Sequence, residues 1–278
     1  MEARNLTEYQ LGRNVNHDPR SRSFAFDTAG ITPVSVKHVR RIPVLNQGKI
    51  GSCTGNATVG ALGTDPFFNT VAVKAQLNET LAVKIYSQAT IVDPFPGTYP
   101  PTDTGSNGVS VAKAAQGFGY ISGYTHTFDF NSAIAALSTQ PVIIGINWYN
   151  NFFTPAADGT LSISAKDYVA GGHEVVLDEL DMQKQRVGGT NSWGATWGAK
   201  GRFYIPFALF KRLLSEQGDV TVFVPNTKAA PTPSPITGDP SLALWEELKS
   251  WASAPHSGSN RVAAKKVNDW AKAQGYIS

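Results

Sequence analysis

The sequence has little cysteine, little net charge and no long apolar segment. One cysteine among 278 residues excludes an internal disulfide framework and any cysteine-rich zinc site. A formal net charge of +3 gives no reason to expect nucleic acid or an anionic membrane as a partner. No apolar run is long enough to span a bilayer, and the polar residues 1–24 do not read as a signal peptide. We therefore expect neither membrane insertion nor export by a signal peptide.

Polar and proline-rich segments divide the chain into four parts. Residues 1–28 form a polar N-terminal arm, and residues 29–225 form the globular domain. The repeated prolines of residues 226–240 predict a stiff linker. Residues 241–278 predict two amphipathic helices, which are too small to form a core of their own. We expect this module to dock on the domain, on another copy or on a protein partner.

Within the globular domain, predicted helices come first and predicted strands later. The helices are expected at residues 53–63, 71–92 and 109–118, with a last one at 205–217 that ends at Gly218. The strands are expected at residues 141–149, 173–181, 186–193 and 202–207. This order favours an α+β fold with two halves over alternating βαβ units.

The single cysteine, Cys53, lies where a catalytic thiol could be activated. It begins a predicted helix, and a helix N-terminus lowers the pKa of a thiol. Gly51 and Ser52 precede it, and Gly51 allows a tight turn with room for a substrate chain. The Gln47 side chain could donate to an oxyanion together with the backbone N–H of Cys53. On residue type alone, a small buried hydrophobe is the competing interpretation of a lone cysteine.

A catalytic thiol needs a base, and the sequence offers five histidines: His17, His38, His126, His173 and His256. Only His173 follows a Gly-Gly pair, with Gly172 directly before it, and opens an apolar strand. His126 is expected in a surface strand or turn. Further along, the Asn191 amide could hold the imidazole in one tautomer. Trp193 could shield that hydrogen bond from water.

Three blocks, QGKIGSC (47–53), GGH (171–173) and NSWGATWGAKGRFYI (191–205), resemble the signature blocks of the papain-like cysteine peptidase superfamily. They look more like bacterial and phage members than plant or lysosomal ones. The resemblance implies a papain-like two-lobed fold, with a helical lobe and a β-barrel-like lobe flanking a cleft. It also implies roles for Cys53 as nucleophile, His173 as general base and acid, Asn191 as orienting residue and Gln47 in the oxyanion hole. Substrate contacts are expected from Gly51, Ser52, Gly172 and Trp193.

Several residues depart from that family pattern. Ile50 stands where the family often has a disulfide cysteine, and Thr54 replaces the usual aromatic after the nucleophile. Glu174 is expected to point away from His173, because neighbouring strand residues face opposite sides, and so receives no catalytic role. The residues before Gln47 are too few for the long inhibitory pro-region of secreted members. We therefore expect no control by removal of such a region.

The resemblance predicts a cysteine peptidase that hydrolyses peptide or amide bonds through a thioester, without a cofactor or a metal ion. Its expected partners are a peptide or protein substrate and a protein docked on the C-terminal helices. A bacterial cytoplasm or a virion is the expected location. A cell-wall peptide amidase and acyl transfer to an amine remain open. A structural or assembly protein, for example of a phage particle, is the alternative from another class.

Overall fold

The structure, a computed structural model, describes residues 9–17 and 25–226. The linker 226–240 apart from its first residue, the module 241–278 and His256 lie outside the described residues. The helices are α1 (Cys53–Leu62), α2 (Phe67–Thr70), α3 (Glu79–Val92), α4 (Gly108–Gly117), α5 (Phe130–Thr139) and α6 (Phe207–Ser215). The strands are β1 (Val36–Lys37), β2 (Gly123–Thr127), β3 (Val142–Tyr149), β4 (Val169–Asp181), β5 (Arg186–Thr190), β6 (Arg202–Pro206) and β7 (Asp219–Val224). None of these helices is long and apolar enough to cross a membrane.

The described strands form one antiparallel sheet in the order β2-β7-β3-β4-β5-β6, and β1 adds to β4. Strand β3 is an almost continuous apolar run, and seven of its eight residues are buried. Burial on both faces explains why its sequence lacks the alternation of a half-exposed strand. The long β4 pairs with both β3 and β5 and lies at the centre of the sheet.

Two apolar cores confirm the predicted α+β fold. One gathers side chains of α1, α3 and α4, and the other gathers side chains of the sheet with α5 and α6. Helix α1 packs against α3 and also against β4, and all ten of its residues are buried. The first residue of α1, Cys53, therefore lies where the helical half meets the sheet.

The prediction of a helix over residues 71–92 is wrong for the first third of that range. Helix α3 begins only at Glu79, because the side chain of Asn78 accepts a hydrogen bond from the backbone N–H of Leu81 at 3.1 Å and caps the helix. Before this cap the chain makes a short 3₁₀ turn, Lys74–Gln76. Leu77 is nevertheless buried. The apolar spacing therefore predicted its burial correctly, but it predicted the wrong backbone conformation.

The last predicted helix, 205–217, is also shorter in the structure. Residues 202–206 pair with β5 as strand β6, so α6 starts at Phe207 and ends at Ser215 instead of Gly218. The prediction for His126 was half right, since it lies in strand β2 but is buried and not on the surface. Helices α2 and α5 and strands β1 and β7 were not predicted from the sequence.

Candidate active site

Hydrogen bonds fix the loop before Cys53 from two sides. The Asn56 side chain, one turn into α1, donates to the carbonyl and hydroxyl oxygens of Ser52 at 2.9 and 3.1 Å. The Gly51 N–H donates to Oδ2 of Asp103 at 2.7 Å. The thiol is thus held at the start of the helix, at the position that the sequence predicts.

Asp103 is itself held by a buried tyrosine. The Tyr86 hydroxyl donates to Asp103 Oδ1 at 2.5 Å and accepts the Gly105 N–H at 2.9 Å. Sequence analysis gave neither Tyr86 nor Asp103 a role. Tyr86 reads as a core residue of a helix and Asp103 as a polar residue of a loop, and no local pattern links the two.

His173 and Asn191 are hydrogen-bonded on the sheet side of the site, with Nε2 of the imidazole 2.8 Å from Oδ1 of the amide. An amide oxygen only accepts, so Nε2 carries the hydrogen and Nδ1 is the basic nitrogen. Among the described residues, Nδ1 has no hydrogen-bond partner. The indole of Trp193 stacks on the imidazole at 4.6 Å and 25°, and Trp148 meets it edge-on at 4.7 Å.

The thiol lies beside strand β4. Backbone N–H groups of Thr54 and of Glu174, which directly follows His173 in β4, are directed at the sulfur of Cys53. Helix α1 packs against β4, so the structure places Cys53 beside the strand that carries His173.

Gln47 is buried, and both the oxygen and the nitrogen of its side-chain amide are hydrogen-bonded. Its Oε1 accepts the Ser192 hydroxyl at 2.7 Å, and its Nε2 donates to the carbonyl of Ile50 at 2.9 Å. The same Nε2 lies 3.3 Å from the carbonyl oxygen of Gln10, which also accepts Nε1 of Trp193 at 3.3 Å. Gln47 and Trp193 thus both direct a donor at one carbonyl group in the cleft.

That carbonyl belongs to the N-terminal arm, which lies across the site. The N–H groups of Gly12 and Arg13 donate to the carbonyl of Gly172 at 3.2 and 3.0 Å. On the opposite wall, Ser106 donates to the carbonyl of Gly12 at 2.8 Å and accepts from Asn14 at 2.7 Å. Main-chain hydrogen bonds therefore attach this part of the arm to both halves of the protein.

The arm lies close to Cys53. The backbone N–H of Gly12, which donates to Gly172, is also near enough to the sulfur to lower the pKa of the Cys53 thiol. The fit is close, because a Cβ on Gly12 would lie 1.9 Å from the carbonyl oxygen of Gly51, and one on Gly172 would lie 2.2 Å from that of Arg13. The arm therefore lies in direct contact with the loop before Cys53 and with the strand that carries His173.

Burial favours the neutral forms of the Cys53 thiol and the His173 imidazole. Cys53 and His173 are each 0% exposed. Burial raises the pKa of the Cys53 thiol to about 12, although the nearby backbone N–H groups favour the thiolate. Burial also lowers the pKa of His173 to about 4, against the hydrogen bond to Asn191. The lowered thiol pKa expected from the helix N-terminus is therefore not found in the covered state, because desolvation outweighs it.

The other described histidines lie elsewhere. Nε2 of His38 is 2.7 Å from the carbonyl oxygen of Leu137. His17 and His126 lie beside the carboxylate of Asp219, at 3.5 and 3.3 Å. Nowhere in residues 9–17 and 25–226 do three His, Cys, Asp or Glu side chains form a group that could hold a metal ion.

No protein-family model matches the sequence, and neither does any curated protein. The structure is similar to xylellain, a cysteine protease from Xylella fastidiosa, at 17% identity and a TM-score of 0.60, covering 81% of this chain and 99% of that one. It is also similar to digestive procathepsin L 3 of Tenebrio molitor larval midgut, at 15% identity and a TM-score of 0.53, covering 78% and 76%. The Amb a 11 cysteine protease of ragweed pollen, in its proform, gives 18% identity and a TM-score of 0.50, covering 83% and 69%. These likenesses establish that the chain has the papain-like α+β fold of the cysteine proteases.

Proposed function

We propose that this protein is a cysteine peptidase that hydrolyses peptide bonds through a thioester. The observation that supports it most is the way in which residues 10–14 are seated. The carbonyl of Gly172 and the backbone of Ser106 bind the main chain of the arm. Groups that bind main-chain atoms accept any extended peptide, whatever its side chains. A peptide substrate therefore suits the cleft once the arm has left it.

The reaction begins when a substrate carbonyl replaces Gly12 beside the thiol. His173 takes the proton of Cys53 on Nδ1, and the sulfur attacks the carbonyl carbon. The imidazolium then donates that proton to the amine as the C–N bond breaks, which leaves a thioester. Water attacks the thioester with His173 as base, and this step releases the carboxylic acid and restores the thiol.

Two side chains assist these steps without forming bonds to the substrate. Asn191 accepts from Nε2 of His173 and thereby keeps Nδ1 free for the proton transfer. Gln47 Nε2 and the Cys53 backbone N–H stabilise the negative charge that develops on the substrate carbonyl oxygen. While the arm lies in the cleft, Gln47 Nε2 donates to the carbonyl of Gln10. After the arm has left, a substrate carbonyl would accept from the same nitrogen.

The test is peptide hydrolysis by a full-length Gly12→Val variant, because a side chain at this position has no room against Gly51 and displaces the arm. Mass spectrometry of a mixed peptide library would detect new free carboxyl and amino ends. We expect cleavage by Gly12→Val, little by the wild type, and none by Gly12→Val/Cys53→Ala. Absence of cleavage by a folded Gly12→Val chain would contradict the proposal. Products that carry an added amine in place of water would instead indicate acyl transfer.

A further inference from the structure

The side chain of Arg13 points away from the backbone of the arm into a closed pocket. It is 0% exposed and forms an ion pair with the carboxylate of Asp219. The same nitrogen, Nη2, also donates to the carbonyl of Gln217 at 2.6 Å. A buried guanidinium is costly unless it is paired and hydrogen-bonded. The pocket supplies both partners, one from the loop before β7 and one from the first residue of that strand.

The pocket holds a second carboxyl group and two imidazoles. Neither oxygen of the buried Glu174 carboxyl has a hydrogen-bond partner in the described part of the chain. Nε2 of His126 lies 3.3 Å from Oδ1 of Asp219, and Nε2 of His17 lies 3.5 Å from Oδ2. Burial and then the neighbouring Asp219 raise the pKa of Glu174. Despite burial, Arg13 holds the pKa of Asp219 below its ordinary value, so one ionised carboxylate faces one guanidinium.

Two glycines give this pocket its depth. A Cβ on Gly145, in β3, would lie 2.5 Å from Nε of Arg13 and 2.8 Å from Oε2 of Glu174. A Cβ on Gly108, at the start of α4, would lie 2.9 Å from Oε1 of Glu174. Any larger residue at either position would take space that the arginine or the carboxyl groups now occupy. The cavity is thus shaped for a long side chain that ends in a cation.

We propose that this pocket selects a basic side chain, arginine above all, in the peptide substrate, with Asp219 and Glu174 as its specificity-determining residues. In the covered state Arg13 occupies it. The inference rests on the proposed peptidase function, because the pocket opens from the groove that holds the arm backbone beside Cys53. Arginine is favoured over lysine because the pocket accommodates the whole guanidinium of Arg13, which is 0% exposed.

A binding measurement tests the pocket independently of catalysis. The protein is the full chain with Cys53→Ala, Gly12→Val and Arg13→Ala, which removes the nucleophile and the occupant of the pocket. The ligands are capped peptides of alanine and glycine with one arginine, or with citrulline, its neutral isostere, at the same place. By calorimetry we expect the arginine peptide to bind about a hundredfold more tightly. Asp219→Asn should abolish the difference, whereas Asp167→Asn, in an exposed loop, should keep it.

Because Asp219→Asn could unfold the protein, Gly145→Ala provides a second variant that keeps both carboxyl groups. It should lose the preference for arginine yet still bind a peptide with alanine at that position. Equal affinity for arginine and citrulline, or no binding of either, would overturn the proposal. Cleavage by Gly12→Val/Arg13→Ala without preference for arginine would also overturn it. Selective binding of the arginine peptide without cleavage by Gly12→Val/Arg13→Ala would instead contradict the proposed peptidase function and support the proposed pocket.

Discussion

The backbone of Gly12 lies directly against that of Gly51, so closely that a Cβ on Gly12 would be 1.9 Å from the Gly51 carbonyl oxygen. This contact places the arm beside Cys53, and both the thiol and His173 are buried from water. From the few residues before Gln47 we expected no control by removal of a pro-region. In the structure, residues 10–14 are enough to fill the cleft, because their main-chain hydrogen bonds reach both walls.

Gln47→Ala should reduce peptide hydrolysis through the rate of the chemical step. The substitution removes the side-chain donor to the developing oxyanion, a loss that typically costs about 10²–10³ in kcat. The measurement is kcat and KM in the Gly12→Val background. Ser192→Ala, which removes only the hydroxyl that orients the Gln47 amide, should cause a smaller fall. A change in KM with kcat intact would contradict this role for Gln47.

Tyr86→Phe should destabilise the protein by about 1–3 kcal/mol, because it leaves the Gly105 N–H and an oxygen of Asp103 without their partner. Urea unfolding of the full chain gives this difference. Tyr168→Phe is the matched control, since Tyr168 is 57% exposed, and should change the free energy of unfolding very little. Equal effects of the two substitutions would show that the buried hydrogen bonds of Tyr86 contribute nothing.

Stability should fall on mild acidification because of His173. Its pKa is lowered from 6.5 to about 4 in the folded protein, so the unfolded chain binds more protons between these values. The contribution of His173 to the free energy of unfolding is complete above the unfolded pKa and is lost as pH falls toward the folded one. From about pH 6.5 to about pH 5, the wild type should lose about 2 kcal/mol more than His173→Gln.

The comparison isolates one titration, because Asp219 and Glu174 are present in both chains. His38→Gln serves as the control for a histidine substitution outside the site and should follow the wild type. Parallel pH profiles for the wild type and His173→Gln would mean that His173 reaches water in the folded protein. The arm would then not cover the site as described.

The parts of the fold that follow from sequence are those with a local signal. The apolar run of β3 predicted a buried strand, and the small residues after Cys53 predicted α1. Helix α5 was missed although its signal was present, since Asp129 caps it through the Ser132 N–H at 2.9 Å. The beginning of α3 was misplaced because apolar spacing continued through a 3₁₀ turn.

The parts of the site that sequence did not reveal depend on distant contacts. The motif blocks singled out Cys53, His173 and Asn191 by resemblance. In the structure Nε2 of His173 lies 2.8 Å from Oδ1 of Asn191, and Cys53 begins the helix that packs against β4. The arm has no periodicity, and its course depends on hydrogen bonds to Gly172 and to Ser106. Nothing near Arg13 in the sequence indicates that its partner follows more than 200 residues later. A single charged residue in a sequence does not indicate whether its side chain is exposed or enters a buried pocket.

The most direct test of the account is the pH dependence of Cys53 alkylation by iodoacetamide, followed by intact mass. The chain has one cysteine, so the signal has one source. The wild type should react slowly up to about pH 9, since burial raises its thiol pKa to about 12. Gly12→Val should react rapidly at about pH 6, as a thiolate paired with imidazolium does, and Gly12→Val/His173→Ala should lose that reactivity. A slow, unchanged profile in a folded Gly12→Val chain would contradict both the covering by the arm and the Cys53–His173 pair.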